Sequence, residues 1–530
     1  MDLHRIVGSC LGTPRHHVLD HARTLSVLLH NILLSPGPLY RIAEWAQPLD
    51  PAALGLTPDE SEALNDDRVA RTLDALASVR SRSLFFRLAL HLIKDFELDT
   101  TRIHQDTTTI TFCGAYEGQT RSPRITRGIN KDHRPDLKQL VFGVSVTADG
   151  AVPLVHEVYS GNRTDDTVHR GNLARLRTVL QRSDFIYVAD SKLCTKKNLG
   201  DIARHHGFFV TLMPRTWKEE KLLRERLREG PVRWRKFLEV PNHRRKSDPP
   251  NIYSTTAEEP KKTLDDYRIV WIRSSQKALR DEEVRSHQIE KAEDKLVGLG
   301  FRLNQRKLKQ RGAIRKAVRT ILEQCDCKTL LKVVIRQETQ TRLRRTRPGR
   351  PRLDDPVVEE RHRIFRLEVE RDEEALAEER RTDGVFGLVT NLPEKRGPKK
   401  EILEIYKYQP YVEKRHALLK SELEVAPVYL KKPQRVVGMI HAHFLAMVLE
   451  ALIERTIRRA MQMEQIKALP ILPEGRMSKT PTTPRVLEAF SGLSWYEFER
   501  GKETVTFPVR LTALQKKLLR LLGIDPGVYD

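Results

Sequence analysis

Three acids stand at positions where an acid is either costly or informative. Asp106 lies inside the β-branched run IHQDTTTITF, and Asp190 closes the short apolar run FIYVAD. Glu413 sits in YKYQPYVEKRHALLK, with the spacing Tyr406-x2-Gln409-x3-Glu413-x6-Lys420. A carboxylate in mid-strand is expensive unless it is paired or bound to a metal. One at the carboxyl end of a strand in an open α/β sheet lies where ligands collect. Singly, each has an ordinary explanation. Asp106 can pair with a lysine or arginine, Asp190 can cap the next turn, and Glu413 with Lys420 can form a solvated helix face. Together they make the oxygen donor set of a hard divalent cation such as Mg²⁺, which takes few carboxylates plus phosphate. Two such ions ~3.5–4 Å apart activate a water and stabilise a leaving 3′ oxygen in phosphodiester cleavage.

The bulk composition agrees with a phosphate-bearing partner. The 530 residues include 94 Lys and Arg against 71 Asp and Glu, a formal charge of +23. Such an excess favours a polyanion, and DNA or RNA is the usual one. A membrane surface is also anionic, but no stretch is expected to approach the roughly 18 apolar residues of a spanning helix. The N-terminal run MDLHRIVGSCLGTPRHH has too short an apolar core for a signal peptide. The cysteines Cys10, Cys113, Cys194, Cys325 and Cys327 are odd in number and irregular in spacing. Cys325-x-Cys327 has no second pair to complete a zinc site, so a reducing, cytoplasmic setting is expected.

The elements that must position the acids change texture along the chain. Residues 1–98 read as helical, with apolar residues at helical spacing in HVLDHARTLSVLLHNILL, RVARTLDALASV and LFFRLALHLIKDF. Asn65 or Asp66 is placed to cap the second of these helices. This region is a helix-turn-helix or a plain supporting bundle. Residues 99–215 read as three strands, helix, strand, helix, strand, with Asp149-Gly150 marking a hairpin. That is a mixed sheet with helices packed on it, an α/β fold. Residues 216–382 are densely charged and read as an insertion, with strand-like runs VRWRKFLEV, YRIVWIRSS and LLKVVIRQ and one long basic helix over about 282–324. Residues 383–464 resume the sheet with GVFGLVTNLP, then carry the Glu413 helix and a long apolar helix from 434 to 463. The tail, 465–530, holds the compact run SWYEFERG and a final amphipathic helix, TALQKKLLRLLG; it is a candidate dimer or DNA contact.

Helix arithmetic supports Glu413. Tyr406, Glu413 and Lys420 recur every seven residues and so share nearly one face. Val412, His416, Leu419 and Leu423 form the neighbouring face, suited to packing on a sheet. Pro410 is tolerated in a first turn but kinks a helix interior, so Tyr406 belongs either to this helix or to one before it.

These motifs together resemble the insertion-sequence DDE transposases of the IS-four-like superfamily, whose signature is Y-x2-R-x3-E-x6-K. Tyr406, Glu413 and Lys420 match it, and Gln409 stands where the family has Arg. DTTT at Asp106 and VAD at Asp190 are similar to the family's first two acidic blocks. The stretches NKDHRPDLKQLVFGVSVTADGAVPL and EVYSGNRTDD are the most specific match. The resemblance covers roughly 100–215 and 384–450. It implies an RNase H-like mixed sheet with flanking helices, interrupted by a large α+β insertion between helical terminal regions. Asp106, Asp190 and Glu413 would be the catalytic acids and the ligands of Mg²⁺, with Mn²⁺ as the alternative ion. Tyr406, Gln409 and Lys420 would hold DNA phosphates, although Gln brings no charge to that task.

Further residues are weighed against plainer readings. Lys131, His133, Arg134 and Lys138 are either backbone-gripping or solvated loop charges, and the surrounding motif favours DNA. Arg345, Arg347, Arg350 and Arg352 lie in RTRPGRPR, suited to an A·T-rich minor groove or simply a basic loop. Trp234 and Trp271 could stack on an unpaired base, but core packing is the expected role. His441 and His443 are expected to be satisfied core histidines.

The resulting expectation is a cut-and-paste DDE transposase acting on double-stranded DNA. It would bind terminal inverted repeats, pair the ends as a homodimer in a synaptic complex, cleave, and join 3′-OH ends to target DNA. No membrane partner is expected, and the place of action is the bacterial nucleoid in the cytoplasm. The alternatives are a structure-specific RNase H-like nuclease and a catalytically retired transposase that only binds DNA.

Overall fold

The computed structural model describes residues 3–12, 18–78, 81–132, 134–242, 249–305, 307–345, 357–421, 423, 430–494, 496–500, 503–507 and 509–529. The chain forms two compact units, one of residues 1–212 with 390–530 and one of residues 213–389. The expected insertion, 216–382, falls inside the second.

The first unit opens with helices α1 (Leu3–Leu11), α2 (His21–Leu34), α3 (Ile42–Ala46), α4 (Pro58–Glu62), α5 (Asp66–Leu76) and α6 (Ser81–Asp95). Local chemistry sets their starts. The Asp20 side chain accepts from the Arg23 amide, so α2 begins at His21 and not earlier in the apolar run. Asn65 does the same for α5 through the Arg68 amide. Then follow β1 (Arg102–Phe112), β2 (Lys138–Thr147), β3 (Pro153–Ser160), α7 (His169–Leu180), β4 (Ile186–Ala189), α8 (Lys196–Arg204) and β5 (Phe208–Leu212). This is the expected order of elements. The strands lie in the order β3-β2-β1-β4-β5. β1, β2 and β3 pair antiparallel, whereas β1 with β4 and β4 with β5 pair parallel. The sheet is therefore mixed, and the fold is mixed α/β. Gly150, in the connection between β2 and β3, has φ +83°, and a Cβ there would lie 2.9 Å from the Arg455 side chain.

The second unit contains α9 (Lys218–Glu229), β6 (Arg235–Val240), β7 (Asn251–Thr255), β8 (Arg268–Ser274), α10 (Ser275–Gly300), α11 (Arg311–Gln324), β9 (Leu331–Arg345), β10 (Val357–Arg371), α12 (Glu373–Arg381) and β11 (Val385–Thr390). The single basic helix expected over 282–324 is two helices. The chain turns at 301–305, where Asn304 has φ +63°. Strand β10 was not foreseen. VVEERHRIFRLEVER is too charged to read as a strand, but it pairs along its whole length with β9 in an exposed two-stranded ribbon. Ile289, Leu296, Ile314, Phe365 and Leu376 share one buried cluster with Cys325 and Cys327. Trp271 is a core residue, 1% exposed, and its Nε1 donates to the Pro260 carbonyl at 2.7 Å. Trp234 is half-buried just before β6.

The first unit resumes with α13 (Lys399–Tyr406), α14 (Pro410–Ser421), α15 (Pro433–Met463), α16 (Thr483–Glu488), the hairpin β12 (Tyr496–Arg500) and β13 (Glu503–Phe507), and α17 (Ala513–Leu522). One expectation is corrected here. α15 is long and apolar enough, by length and composition, to cross a membrane. Its apolar window is 78% buried, and α15 packs against α2, α5, α14, α16, α17 and β3. Apolarity all round is what a fully buried core helix requires. At Gly438 the approach is so close that a Cβ would lie 2.1 Å from the Leu73 carbonyl oxygen on α5. His443 is satisfied as expected, Nδ1 2.8 Å from the Met439 carbonyl and Nε2 3.0 Å from that of Leu423. His441 is half-buried, and its Nδ1 meets His156 Nε2 at 2.7 Å.

Candidate active site

Asp106 is carried by β1, opposite Val144 of β2. In the parallel pairing of β1 with β4, His104 lies opposite Val188. Two residues further along each chain stand Asp106 and Asp190. Asp190 follows the last residue of β4, where the strand gives way to a turn. Its carbonyl accepts from Thr211 Oγ1 at 2.7 Å and its Oδ1 accepts from the Lys192 amide at 3.0 Å. The turn-capping role therefore holds, and it fixes the carboxylate at the carboxyl end of the strand. Both acids are where the strand pattern placed them.

Glu413 arrives from far along the chain, 223 residues after Asp190. It lies in the first turn of α14, which begins at Pro410. Tyr406 ends the preceding α13, so the seven-residue recurrence does not run along one continuous helix. Val412, His416 and Leu419 are buried, and α14 packs on β1 and β2. Arg415 anchors the helix. Its Nε donates to the Ala151 carbonyl at 3.1 Å, and its Nη2 donates to the Gly150 carbonyl at 3.1 Å and to Glu454 Oε2 at 2.9 Å. Glu454 belongs to α15, so one buried guanidinium ties α14 to a hairpin and a core helix.

The electrostatics show that the three acids share one neighbourhood. Burial pushes the Asp190 carboxyl above its ordinary range, and the charges of Asp106 and Asp165 push it the same way. Asp106 is raised by burial, then by Asp165, against the opposing pull of Lys131 and the Thr107 amide. Glu413 is raised by burial and then by Asp106. Tyr406 is raised by burial and by the charges of Asp190, Glu413 and Asp106 together. Carboxylates that raise one another mark a candidate functional cluster.

Three residues belong to this site that the sequence pattern did not single out. Thr107 donates its amide to Asp106 Oδ1 at 2.7 Å and its hydroxyl to Asp165 Oδ1 at 2.7 Å. For Asp165 the available sequence signal is its place within EVYSGNRTDD. His416 is 5% exposed, and neither ring nitrogen has a hydrogen-bond partner. Its Nε2 is 3.8 Å from Asp106 Oδ2. Burial, then the Lys131 charge, pushes the imidazole down to about 3, so it is neutral.

The remaining expected site residues are placed as follows. Lys131 does not point outwards as a backbone-gripping lysine would. Its Nζ lies 3.6 Å from Asp106 Oδ1 and 3.3 Å from Asp165 Oδ2. Gln409 is also misplaced for phosphate binding. It is 5% exposed, its Nε2 donates to the Gln105 carbonyl at 2.7 Å, and its Oε1 meets His104 Nδ1 at 3.2 Å. It is a strut between the start of α14 and β1. Lys420 extends its Nζ to both Asp132 oxygens at 2.8 Å. Tyr406 is partly buried beside the acids. Arg134 is exposed and forms a two-point pair with Asp136. Lys138 donates to the Ala115 carbonyl. Arg345 ends β9 in the second unit. His133, Arg347, Arg350 and Arg352 lie outside the described residues.

The carboxylate oxygens of these acids are the donors that a hard cation takes. Among the described residues, no three His, Cys, Asp or Glu side chains already converge into a ready-made ion site. At Asp106 and Asp165 a cation is nevertheless present, the Lys131 ammonium. Asp106, Asp190 and Asp165 more than offset the lowering that burial causes and hold its pKa above the ordinary lysine value.

Comparison with known proteins adds little. Residues 1–90, spanning α1 to most of α6, match the family model DUF4277, a domain of unknown function. No curated protein matches the chain. A solved structure described as the cryo-EM structure of a piggyBac transposase synaptic complex with hairpin DNA aligns over 84% of this chain and 78% of that one. The identity is 8% and the TM-score 0.29, too low to establish a common fold.

Proposed function

We infer that the protein is a metal-dependent DNA phosphodiester-cleaving and strand-joining enzyme, a DDE-type transposase of the insertion-sequence kind. The observation that carries this reading is that Asp106, Asp190 and Glu413, from two strands and a distant helix, are each raised by burial and by a neighbouring acid. Three strands paired antiparallel and two parallel, with acids on the central strand and its parallel neighbour, support an RNase H-like reading of the sheet. The charge of +23 supports a polyanionic partner. Asp106, Asp190 and Glu413 would hold Mg²⁺ or Mn²⁺. The bound ion would supply Lewis acidity and an activated water.

The chain's own residues do the rest. Tyr406 and Lys420 flank the Glu413 turn and would contact the phosphates on either side of the cut. Lys420 would exchange Asp132 for phosphate. Arg415 fixes the helix that presents Glu413, and Thr107 orients Asp106. Gln409 departs from the family pattern because it serves as a strut, so its lack of charge does not speak for a retired enzyme. Recognition of terminal inverted repeats and pairing of two copies belong to the same proposal.

The test is a cleavage and joining assay with end-labelled duplex DNA carrying the gene's own flanking sequence and Mg²⁺. Cleavage that disappears in Asp190→Asn supports the reading. Tight DNA binding without cutting in the unsubstituted protein leaves a DNA-binding protein instead.

A further inference from the structure

We propose that Lys131 is a built-in counter-cation of the acid cluster, which a divalent ion must displace from Asp106, and that Asp165 is the group to which the ammonium retreats. The proposal rests on the metal-site reading above.

The geometry is specific. Lys131 comes from the turn before β2 and reaches back to β1. Its Nζ donates to the Thr107 carbonyl at 2.6 Å and to Thr107 Oγ1 at 3.0 Å. That hydroxyl in turn donates to Asp165 Oδ1 at 2.7 Å. The ammonium is thus held by neutral oxygens on one side and shared between Asp106 and Asp165, at 3.6 and 3.3 Å, on the other. It is slightly nearer the acid outside the expected metal triad.

A lysine merely balancing charge on the surface would not need contacts to both the carbonyl and the hydroxyl of Thr107. One that only gripped DNA would not face three acids. Asp106 has a further feature that points to a ligand. The buried His416 ring, with no partner for either nitrogen, is aimed at its second oxygen. Asp106 therefore has a cation on one oxygen and an unfulfilled polar group on the other. An ammonium that leaves Asp106 keeps Thr107 and Asp165, so displacement does not strand a buried charge. Asp165 is in this account a positioning residue that acts through Lys131.

The experiment is an Mn²⁺ titration of the full chain, read by the paramagnetic resonance of free Mn²⁺, with thermal unfolding in EDTA as the second measurement. Lys131→Met is expected to bind Mn²⁺ roughly tenfold more tightly, because a competing charge a few ångströms away is gone. It is also expected to unfold at a lower temperature than the unsubstituted protein in EDTA and to regain the difference on adding Mn²⁺. Lys131→Gln is the second variant should the first fail to fold, and Lys131→Arg should stay near the original affinity. Arg134→Met, in the same loop but facing solvent, should change affinity by less than about twofold. If Asp106→Asn abolishes Mn²⁺ binding and yet Lys131→Met and Lys131→Gln bind no more tightly, the counter-cation role is overturned and the metal site stands. If the unsubstituted protein binds no Mn²⁺, or Asp106→Asn makes no difference, the metal-site reading falls and this inference with it.

Discussion

Asp106 and Asp190 occupy matching positions on adjacent parallel strands, each two residues past the paired His104 and Val188. The pleat repeats every two residues, so matching offsets put both side chains on the same face of the sheet. A one-residue register slip would turn one of them away. The candidate site is therefore encoded as much in strand register as in residue type.

This closeness sets activity against stability. Burial, and then the charges of Asp106 and Asp165, raise the Asp190 carboxyl. A carboxylate with a raised folded-state pKa favours folding at low pH and loses that contribution as pH rises above the ordinary carboxylate range. Asp190→Asn should therefore raise the unfolding temperature by a few degrees at pH 7, an advantage that vanishes near pH 4, while abolishing cleavage. A calorimetric series against pH checks this, and a destabilised Asp190→Asn at pH 7 would contradict it.

The buried histidines act in the opposite sense. Burial pushes His104, His169 and His441 down to about 4. Unfolded, they titrate near the ordinary value of about 6.5. Depressed folded-state values mean stability that is present above that value and is lost as pH falls from there towards about 4. His169→Phe removes one such group, so the loss of stability between pH 6.5 and 5 should shrink by about 2 kcal/mol. Denaturant titrations of the two proteins at both pH values measure it.

Gln409 offers a test of strut against clamp. Gln409→Ala leaves the Gln105 carbonyl and the His104 ring without partners in the core, at a cost of about 1–3 kcal/mol. The affinity of the folded protein for DNA should not change, because no phosphate contact is lost. An unchanged unfolding midpoint with weaker DNA binding would make it a clamp instead.

Arg415 joins α14 to α15 through a pair in which both side chains are 6% exposed. Arg415→Met leaves Glu454 buried without this partner, and removing one member of a buried pair costs about 3–5 kcal/mol. Chemical denaturation gives that figure directly. Cleavage should fall further than the folded fraction does, because Glu413 loses the anchor of its helix.

Much of the acid cluster was legible because β-branched and apolar runs flag strands without knowledge of their partners. IHQDTTTITF and FIYVAD became β1 and β4 with their acids as placed. Glu413 was legible from spacing, although the helix it shares with Tyr406 proved to be two, divided before Pro410. What stayed hidden depends on side-chain direction across elements. Nothing in NKDHRPD says that Lys131 turns inwards, or that Asp165 receives it. Strand β10 escaped because its charged residues mask a short alternation, Phe365, Leu367 and Val369, that packs on the buried cluster of the second unit. The α15 helix escaped in another way: its apolarity fits a bilayer and a core equally, and only packing tells them apart.

The central claim is that Asp106, Asp190 and Glu413 act together on a DNA phosphodiester. The most direct measurement is strand cleavage of end-labelled flanking DNA by the full chain with Mg²⁺, compared with EDTA and with Asp106→Asn, Asp190→Asn and Glu413→Gln one at a time. Mg²⁺-dependent cleavage should fall by at least about a thousandfold in each variant, as expected when groups act as a unit. Cleavage that persists in EDTA, or that survives any one of the three substitutions, would contradict it.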